Sequence, residues 1–261
     1  MVDLRILVRS YVDLLLPDAV FSHRSALIVL GLPSPYVERD DVFAVSVSPR
    51  SGVRLAKVLV RRRVLERAEH EFVDGIPVTT VLLTLLDIAR DCPLAFSVAT
   101  LDAAVRSSVV TIDQMSSFSE AHPVCTGTRK IVKVFENVDA RHESVAESIC
   151  AVRFGEHSIP GFEPQVDIRD GNGKHLGRTD FVNRRAKVIA EFDDVGDYHL
   201  DGADPQVTFE RERRREYALR YEGWLVVFRV RWSVLFSADL FLRIGESARR
   251  RLVMDDSRHE A

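Results

Sequence analysis

Gly177-Arg178-Thr179-Asp180-Phe181 and, after a short turn, Val188-Ile189-Ala190-Glu191-Phe192-Asp193 read as two adjacent strands that carry acids inside otherwise apolar runs. Asp and Glu are poor strand formers and costly to bury without a partner, so Asp180, Glu191 and Asp193 do not serve the stability of a sheet. Carboxylates in such a place bind a metal, meet an arginine or face solvent.

The register narrows the choice. With a two-residue loop at Arg184-Arg185, Asn183 faces Ala186, Asp180 opposes Ile189 and Arg178 opposes Glu191. Opposed residues share a face, and strand side chains repeat every two positions. Asp180, Glu191, Asp193 and Arg178 then gather on one face, while Phe181, Val188, Ala190 and Phe192 line the other. Diagonal neighbours in such a ladder lie roughly 7–8 Å apart, close enough for two carboxylates to share an ion.

Working outward, Gln165-Val166-Asp167-Ile168-Arg169 alternates as a strand, and Asp170-Gly171-Asn172-Gly173 is a hairpin turn whose residues tolerate positive φ. Before it, Ser144-Val145-Ala146-Glu147 opens a helix through Phe154 with capping-box spacing, which is one reading of Glu147. After the paired strands, a polar loop from Asp194 to Pro205 holds Tyr198 and His199. Phe209–Tyr221 is a helix with Glu212, Arg215 and Leu219 along one face, where Arg215 either approaches a phosphate or pairs with Glu212 one turn earlier. Gly223 ends it, Trp224–Val230 is a buried-type strand, and a final helical region starts at Ser233 and runs through Arg251, with the last few residues expected to lack structure. The order is helix, three antiparallel strands, helix, strand, helix.

The first half carries no catalytic constellation. Leu4–Leu16 is helical and ends at Pro17, and Ser22 caps a helix over Ser25–Leu30. Val42–Val47 and Leu55–Val60 read as strands paired across a Pro49–Gly52 turn, and Asp74-Gly75 with Pro77 marks a further turn. Helices follow from Thr79 or Thr80 to Ala89, over Leu94–Val105 and over Arg129–Asn137. His23 and His70 read as ordinary histidines, and Arg61-Arg62-Arg63 as a phosphate contact or a solvated edge. Thr79, Thr84 and Asp87 read as a cap and two satisfied side chains. A boundary near residue 138 gives two domains, 1–138 and 139–261, in an α/β (α+β) chain.

Composition sets the outer limits. The 261 residues are 46% hydrophobic and 29% charged, ordinary for a globular protein. No apolar run approaches the roughly 18 residues of a membrane span, and no secretory signal is expected from Met1-Val2-Asp3-Leu4-Arg5. Cys92, Cys125 and Cys150 form neither a disulfide framework nor a zinc spacing, so a reducing cytoplasm is the expected compartment. A strongly basic domain would suggest nucleic acid by itself, and a net charge of −3 does not. Charge is nevertheless segregated in the second half, with acids between Glu191 and Asp204 and bases at Arg211–Arg215, Arg229/Arg231 and Arg249–Arg251.

Two resemblances carry further expectations. Ser22-His23-Arg24-Ser25-Ala26, Gly31-Leu32-Pro33, Gly75-Ile76-Pro77-Val78-Thr79-Thr80 with Thr84 and Asp87, and Leu101-Asp102-Ala103-Ala104 resemble the N-terminal region of actinobacterial AbiEi-like antitoxins, regulators of type IV toxin–antitoxin systems. No helix-turn-helix precedes Pro17. Ser144-x-x-Glu147, Gln165-Val166, Arg178-x-Asp180-Phe181, Glu191-Phe192-Asp193, Glu212-x-x-Arg215-x-x-x-Leu219 and Gly223-Trp224-x-Val226 resemble the PD-(D/E)xK, restriction-endonuclease-like superfamily, and more closely the very-short-patch-repair-endonuclease-like domains.

The second resemblance implies a Mg²⁺ (or Mn²⁺) ion on Asp180 and Glu191 with Glu147 assisting, hydrolysis of a DNA phosphodiester, and contacts to DNA from Arg215 and Arg211. Asp193 stands where many members place a catalytic lysine, and Arg178 or His199 would substitute. The expected function is a metal-dependent DNA endonuclease with an antitoxin-like N-terminal domain. The alternatives are a non-catalytic AbiEi-like antitoxin or regulator with a cognate toxin, or a repurposed fold whose carboxylates are paired and inert.

Overall fold

The computed structural model describes residues 4–15, 18–34, 42–46, 53–55, 57–192 and 205–259. Among the described residues the chain is mixed α/β with two sheets, and it divides into two compact units, Met1–Ala140 and Arg141–Ala261. No described helix is long and apolar enough to cross a membrane.

In the first unit, α1 (Leu4–Tyr11), β1 (Val20–Phe21), α2 (His23–Val29), β2 (Val42–Ser46), β3 (Val53–Leu55), β4 (Val58–Arg62), β5 (His70–Val73) and β6 (Ile76–Thr79) precede four helices. These are α3 (Val81–Asp91), α4 (Leu94–Arg106), α5 (Ile112–Ala121) and α6 (Thr128–Glu136). The strands form one sheet in the order β3-β4-β2-β1-β6-β5. The first helix stops at Tyr11 rather than Leu16, and residues 12–15 turn instead.

The expected hairpin between Val42–Val47 and Leu55–Val60 does not form. The second run breaks at Lys57, so Leu55 ends β3 and Val58 begins β4. β3 and β4 make the antiparallel pair, and β4 lies parallel to β2 from Val42↔Val58 to Ser46↔Arg62. Apolar strand pattern alone does not distinguish these pairings. Asp74 and Gly75, at φ 50° and 78°, form a two-residue turn between β5 and β6, two strands the turn signal only bracketed.

The polar residues of α3 are structural. The Thr84 hydroxyl donates to the Thr79 carbonyl at 3.0 Å and lies 2.7 Å from the Thr79 hydroxyl. Asp87, wholly buried, accepts from Arg63 at 2.7 and 2.9 Å and pairs with Arg90 at 3.0 Å. Arg61, two positions from Arg63, donates to Asp91 at 2.7 Å. Arg61 and Arg63 therefore bind the acids of α3 rather than forming a phosphate patch. His23 is buried between the Ser22 hydroxyl and the Asp91 carboxylate, each at 2.9 Å. Burial pushes the Asp91 carboxyl up, but hydrogen bonds from His23 and Arg90 and the Arg90 charge outweigh it and hold it well below the usual carboxylate range.

The second unit contains α7 (Val145–Glu156), β7 (Glu163–Arg169), β8 (His175–Asn183), β9 (Val188–Phe192), α8 (Pro205–Tyr221), β10 (Leu225–Val230) and α9 (Ala238–His259), which runs past the expected end at Arg251. The sheet order is β10-β9-β8-β7. β7, β8 and β9 are antiparallel, and β10 lies parallel to β9. Neighbouring side chains on β8 serve opposite faces: Val182 packs with Val166, Ile168, Ile189 and Leu219 of α8, with Trp224 against them. Phe181 meets Phe154 of α7, which meets Phe241 of α9. Helices thus cover both faces, and Val188, Ile189 and Ala190 are all fully buried.

The β8–β9 turn is longer than expected. The Asn183 side-chain oxygen accepts the Ala186 N–H at 3.0 Å, and Lys187 takes φ 49°. Asn183 consequently pairs with Val188, not Ala186. The two added residues preserve which side chains share a face but move the register. Continued from Phe181↔Ala190, it sets Asp180 opposite Glu191.

Asp87→Ala leaves Arg63 without its buried partner and Arg90 with Asp91 alone, and should cost about 3 kcal/mol or more. Urea unfolding followed by circular dichroism reads this directly; a loss below about 1 kcal/mol would mean that the pairing contributes little.

Candidate functional site

Asp180 lies in the middle of the second sheet because β8 carries apolar residues around it that need cover on both faces. One of its carboxylate oxygens accepts the Phe192 N–H of β9 at 2.7 Å. Burial pushes the Asp180 carboxyl up, and the charges of Glu147 and Glu191 push the same way. The Phe192 N–H and Arg215 oppose them, and the outcome is about 6. Three carboxylates therefore lie within electrostatic reach of one another.

Each neighbour is already engaged. Glu147, 6% exposed near the start of α7, accepts the Ser144 hydroxyl at 2.9 Å, the Glu143 N–H at 2.9 Å and the Gln165 side-chain N–H at 2.7 Å. Its backbone N–H donates to the Ser144 hydroxyl at 3.1 Å. The capping reading of Glu147 is thus satisfied, with the carboxylate reaching residue 143 rather than the backbone of the cap itself. Gln165 reaches Glu147 from β7 with φ 55°, a left-handed conformation that costs a non-glycine residue of order 1 kcal/mol or more and clusters at functional sites.

Glu191 is clamped by Arg215 of α8. Its two oxygens accept from the guanidinium at 2.5 and 3.4 Å, and the same guanidinium donates to the Arg178 carbonyl at 2.6 Å. Glu212, one turn earlier, is farther from Arg215 at 3.7 Å. Gly177 makes this seat possible. A Cβ there would fall 2.4 Å from the Arg215 Nε, and the φ of 148° also favours glycine. Arg178 itself turns to Glu143 at 2.9 Å, with both side chains about half exposed, so it does not supply a cation to Asp180. Arg211 is exposed on α8 and does not join the cluster. Asp193 and His199 lie outside the described residues.

Among the described residues no three His, Cys, Asp or Glu side chains form a ready-made metal cage. The donors are nevertheless hard oxygens, and Mg²⁺ is usually held by one or two carboxylates with water completing its shell. Asp180 and Glu191 fit that pattern in kind, provided Glu191 exchanges Arg215 for the ion. Glu147 fits less well, because both its oxygens already accept hydrogen bonds. Two residues quoted in the sequence motifs without a role at the site are Gln165, whose left-handed backbone leaves no mark in a strand pattern, and Gly177, whose glycine is itself the signal.

The Asp180 carboxyl is raised from its ordinary 3.8 to about 6, so between those values the folded chain holds a proton that the unfolded chain releases. Stability falls as pH rises through that window. Asp180→Asn keeps an acceptor for Phe192 N–H and removes the charge, so near neutral pH it should stabilise the protein by roughly 1–3 kcal/mol. The gain should vanish toward pH 4, as read by thermal melts across pH.

No family model and no solved structure matches the chain. Two curated proteins of Mycobacterium tuberculosis do: Uncharacterized protein Rv2248 of strain H37Rv and Uncharacterized protein MT2308 of strain CDC 1551. Each is 30% identical over 215 residues, covering 80% of this chain and 75% of the relative. The match is longer than either compact unit, so it runs across both. The chain belongs to the family of these mycobacterial proteins.

Proposed function

We propose that the second unit is a restriction-endonuclease-like domain that hydrolyses DNA phosphodiesters with the help of a divalent ion, and that the first is an AbiEi-like domain that targets or restrains it. The observation that carries the reading is the meeting of Asp180 and Glu191 across β8 and β9, on a sheet whose fourth strand is parallel to the third. The element order, helix, three antiparallel strands, helix, strand, helix, is the one expected from the superfamily resemblance.

Asp180 and Glu191 would hold Mg²⁺ or Mn²⁺. When bound, such an ion polarises the scissile phosphate and lowers the pKa of a water. The chain's own contribution is positional. Phe192 N–H fixes the Asp180 carboxylate, and Gln165 and Ser144 fix Glu147 beside it. Arg215 brings a positive charge to the acidic pair, where the superfamily more often uses a lysine. We assign Arg215 the part that the resemblance left to Arg178 or His199. A planar guanidinium can exchange a carboxylate for a phosphate with the same two-pronged geometry.

One observation favours a second reading, a non-catalytic antitoxin or regulator acting on DNA or on a cognate toxin. Arg215 already meets Glu191 through both oxygens, so this carboxylate has a cationic partner within the chain.

A plasmid-nicking assay with Mg²⁺ and Mn²⁺, on perfect and mismatched DNA, separates the two. The nuclease reading expects nicking by the wild-type protein and a loss of roughly a hundredfold or more in Asp180→Ala and Glu191→Ala. Absence of nicking from clean wild-type protein, together with salt-sensitive DNA binding, overturns it in favour of the regulator. Thermal melts give a second readout. Mn²⁺ should raise the melting temperature of the wild type and leave that of Asp180→Asn unchanged.

A further inference from the structure

The side of α8 that faces away from the sheet is unlike an ordinary solvated helix. At 3.6 residues per turn, Arg213, Arg214, Tyr217, Arg220 and Tyr221 fall opposite the inward-facing Arg215 and Leu219, and all five are exposed. Tyr217 is 60% and Tyr221 89% exposed, large rings that the helix does not use for packing. They are four residues apart, so they rise on the same side about one turn from each other.

The arginines frame these rings. The Arg213 guanidinium lies over the Tyr217 ring, 5.6 Å from its centroid, and its Nη2 is 3.5 Å from the phenolic oxygen. Arg214 and Arg220 pair with Glu210 at 3.6 Å and Glu216 at 2.5 Å. Such pairs within an exposed helix contribute little to stability, so a phosphate can displace either carboxylate. With Arg211 on the flank, the exposed part of the helix carries four arginines against Glu210 and Glu216, a local excess of positive charge in a chain of net charge −3.

We propose that this face of α8 binds single-stranded nucleic acid, with bases stacked on Tyr217 and Tyr221 and phosphates on Arg213, Arg214 and Arg220. Alternating aromatic and cationic groups fit a strand with unstacked bases, because every base offers a π-face whatever its identity. A duplex would use the arginines but leave the two rings without partners. The surface is separate from the acidic cluster and holds whether or not that cluster cuts.

The test is fluorescence anisotropy with the full chain in EDTA, which removes any dependence on cleavage. Fluorescein-labelled oligothymidylate and oligouridylate are the probes, and an unlabelled duplex is the competitor. Binding should weaken as salt rises, and the Tyr217→Ala/Tyr221→Ala double variant should lose about tenfold or more in affinity. Tyr217→Phe/Tyr221→Phe should retain it, and Arg213→Gln/Arg214→Gln should flatten the salt dependence. Fluorescein-labelled oligodeoxyuridylate, which shares its base with oligouridylate, then separates the effect of the sugar from that of the thymine methyl. Equal binding by wild type and the double alanine variant overturns the proposal, as does preferential binding of duplex. Concentration-dependent dimerisation that the alanine variant abolishes would overturn it in favour of a second copy as the occupant. Both rings are exposed, so thermal melts should show the variants folded.

Discussion

The ion pair between Arg215 and Glu191 organises the second unit. It joins α8 to β9, and through the Arg178 carbonyl it also ties α8 to β8. Leu219 of the same helix enters the apolar cluster of Val166, Ile168, Val182 and Ile189, so one face of α8 carries a polar anchor and an apolar anchor one turn apart. The polar anchor needs room. Gly177 supplies it, because any side chain there would strike the guanidinium. The ion pair is mostly shielded, with side chains 21% and 15% exposed. It therefore resembles a partly buried pair, whose value lies in geometry and in the cost of removing one partner, more than a surface pair that salt screens away.

The first unit solves a comparable problem with several charges. Asp87 and Asp91 on α3 are met by Arg63, Arg61, Arg90 and His23. Arg61 and Arg63 alternate along the end of β4, so strand periodicity aims both at the same helix. Three consecutive arginines look like a phosphate site in sequence. Two of them are consumed in tying a strand to a helix, and only packing distinguishes those outcomes.

Much of the second unit was legible because its signals are local. The Asp170–Gly173 turn, the alternation of β7 and β8, and Gly223 after α8 each fix an element by short-range chemistry. The face shared by Asp180 and Glu191 was also legible, since apolar grouping fixes parity. Register was not. It depended on the Asn183 side chain capturing Ala186 N–H, a turn detail that hydrophobic pattern does not encode. The pairing of β2 with β4 was hidden for a related reason: parallel and antiparallel partners present the same apolar residues. The α5 helix went unread, although Thr111 and Gln114 form a reciprocal cap at its start, at 3.1 and 2.8 Å. The role of Arg215 was half legible. It shares a helical face with Glu212 and Leu219, and spacing left a phosphate and Glu212 open as its partners; only the tertiary structure brings Glu191 nearer.

The raised Asp180 carboxyl bears on what this cluster can hold. Arg215 balances Glu191, and three hydrogen bonds satisfy Glu147 without supplying a full positive charge. Asp180 has one backbone N–H and the more distant Arg215 charge against burial and two like charges, and its proton is consequently retained to about 6. Above that pH the cluster carries more negative charge than its own residues balance. Pairing with arginine explains why Glu191 can sit in the sheet; it does not explain Asp180. A purely structural pair would have no need for this second, uncompensated carboxylate, which an apolar residue of similar size could replace at lower cost. The excess negative charge at Asp180 is where an added cation would gain most, and an oxygen-seeking divalent ion matches both its charge and its chemistry.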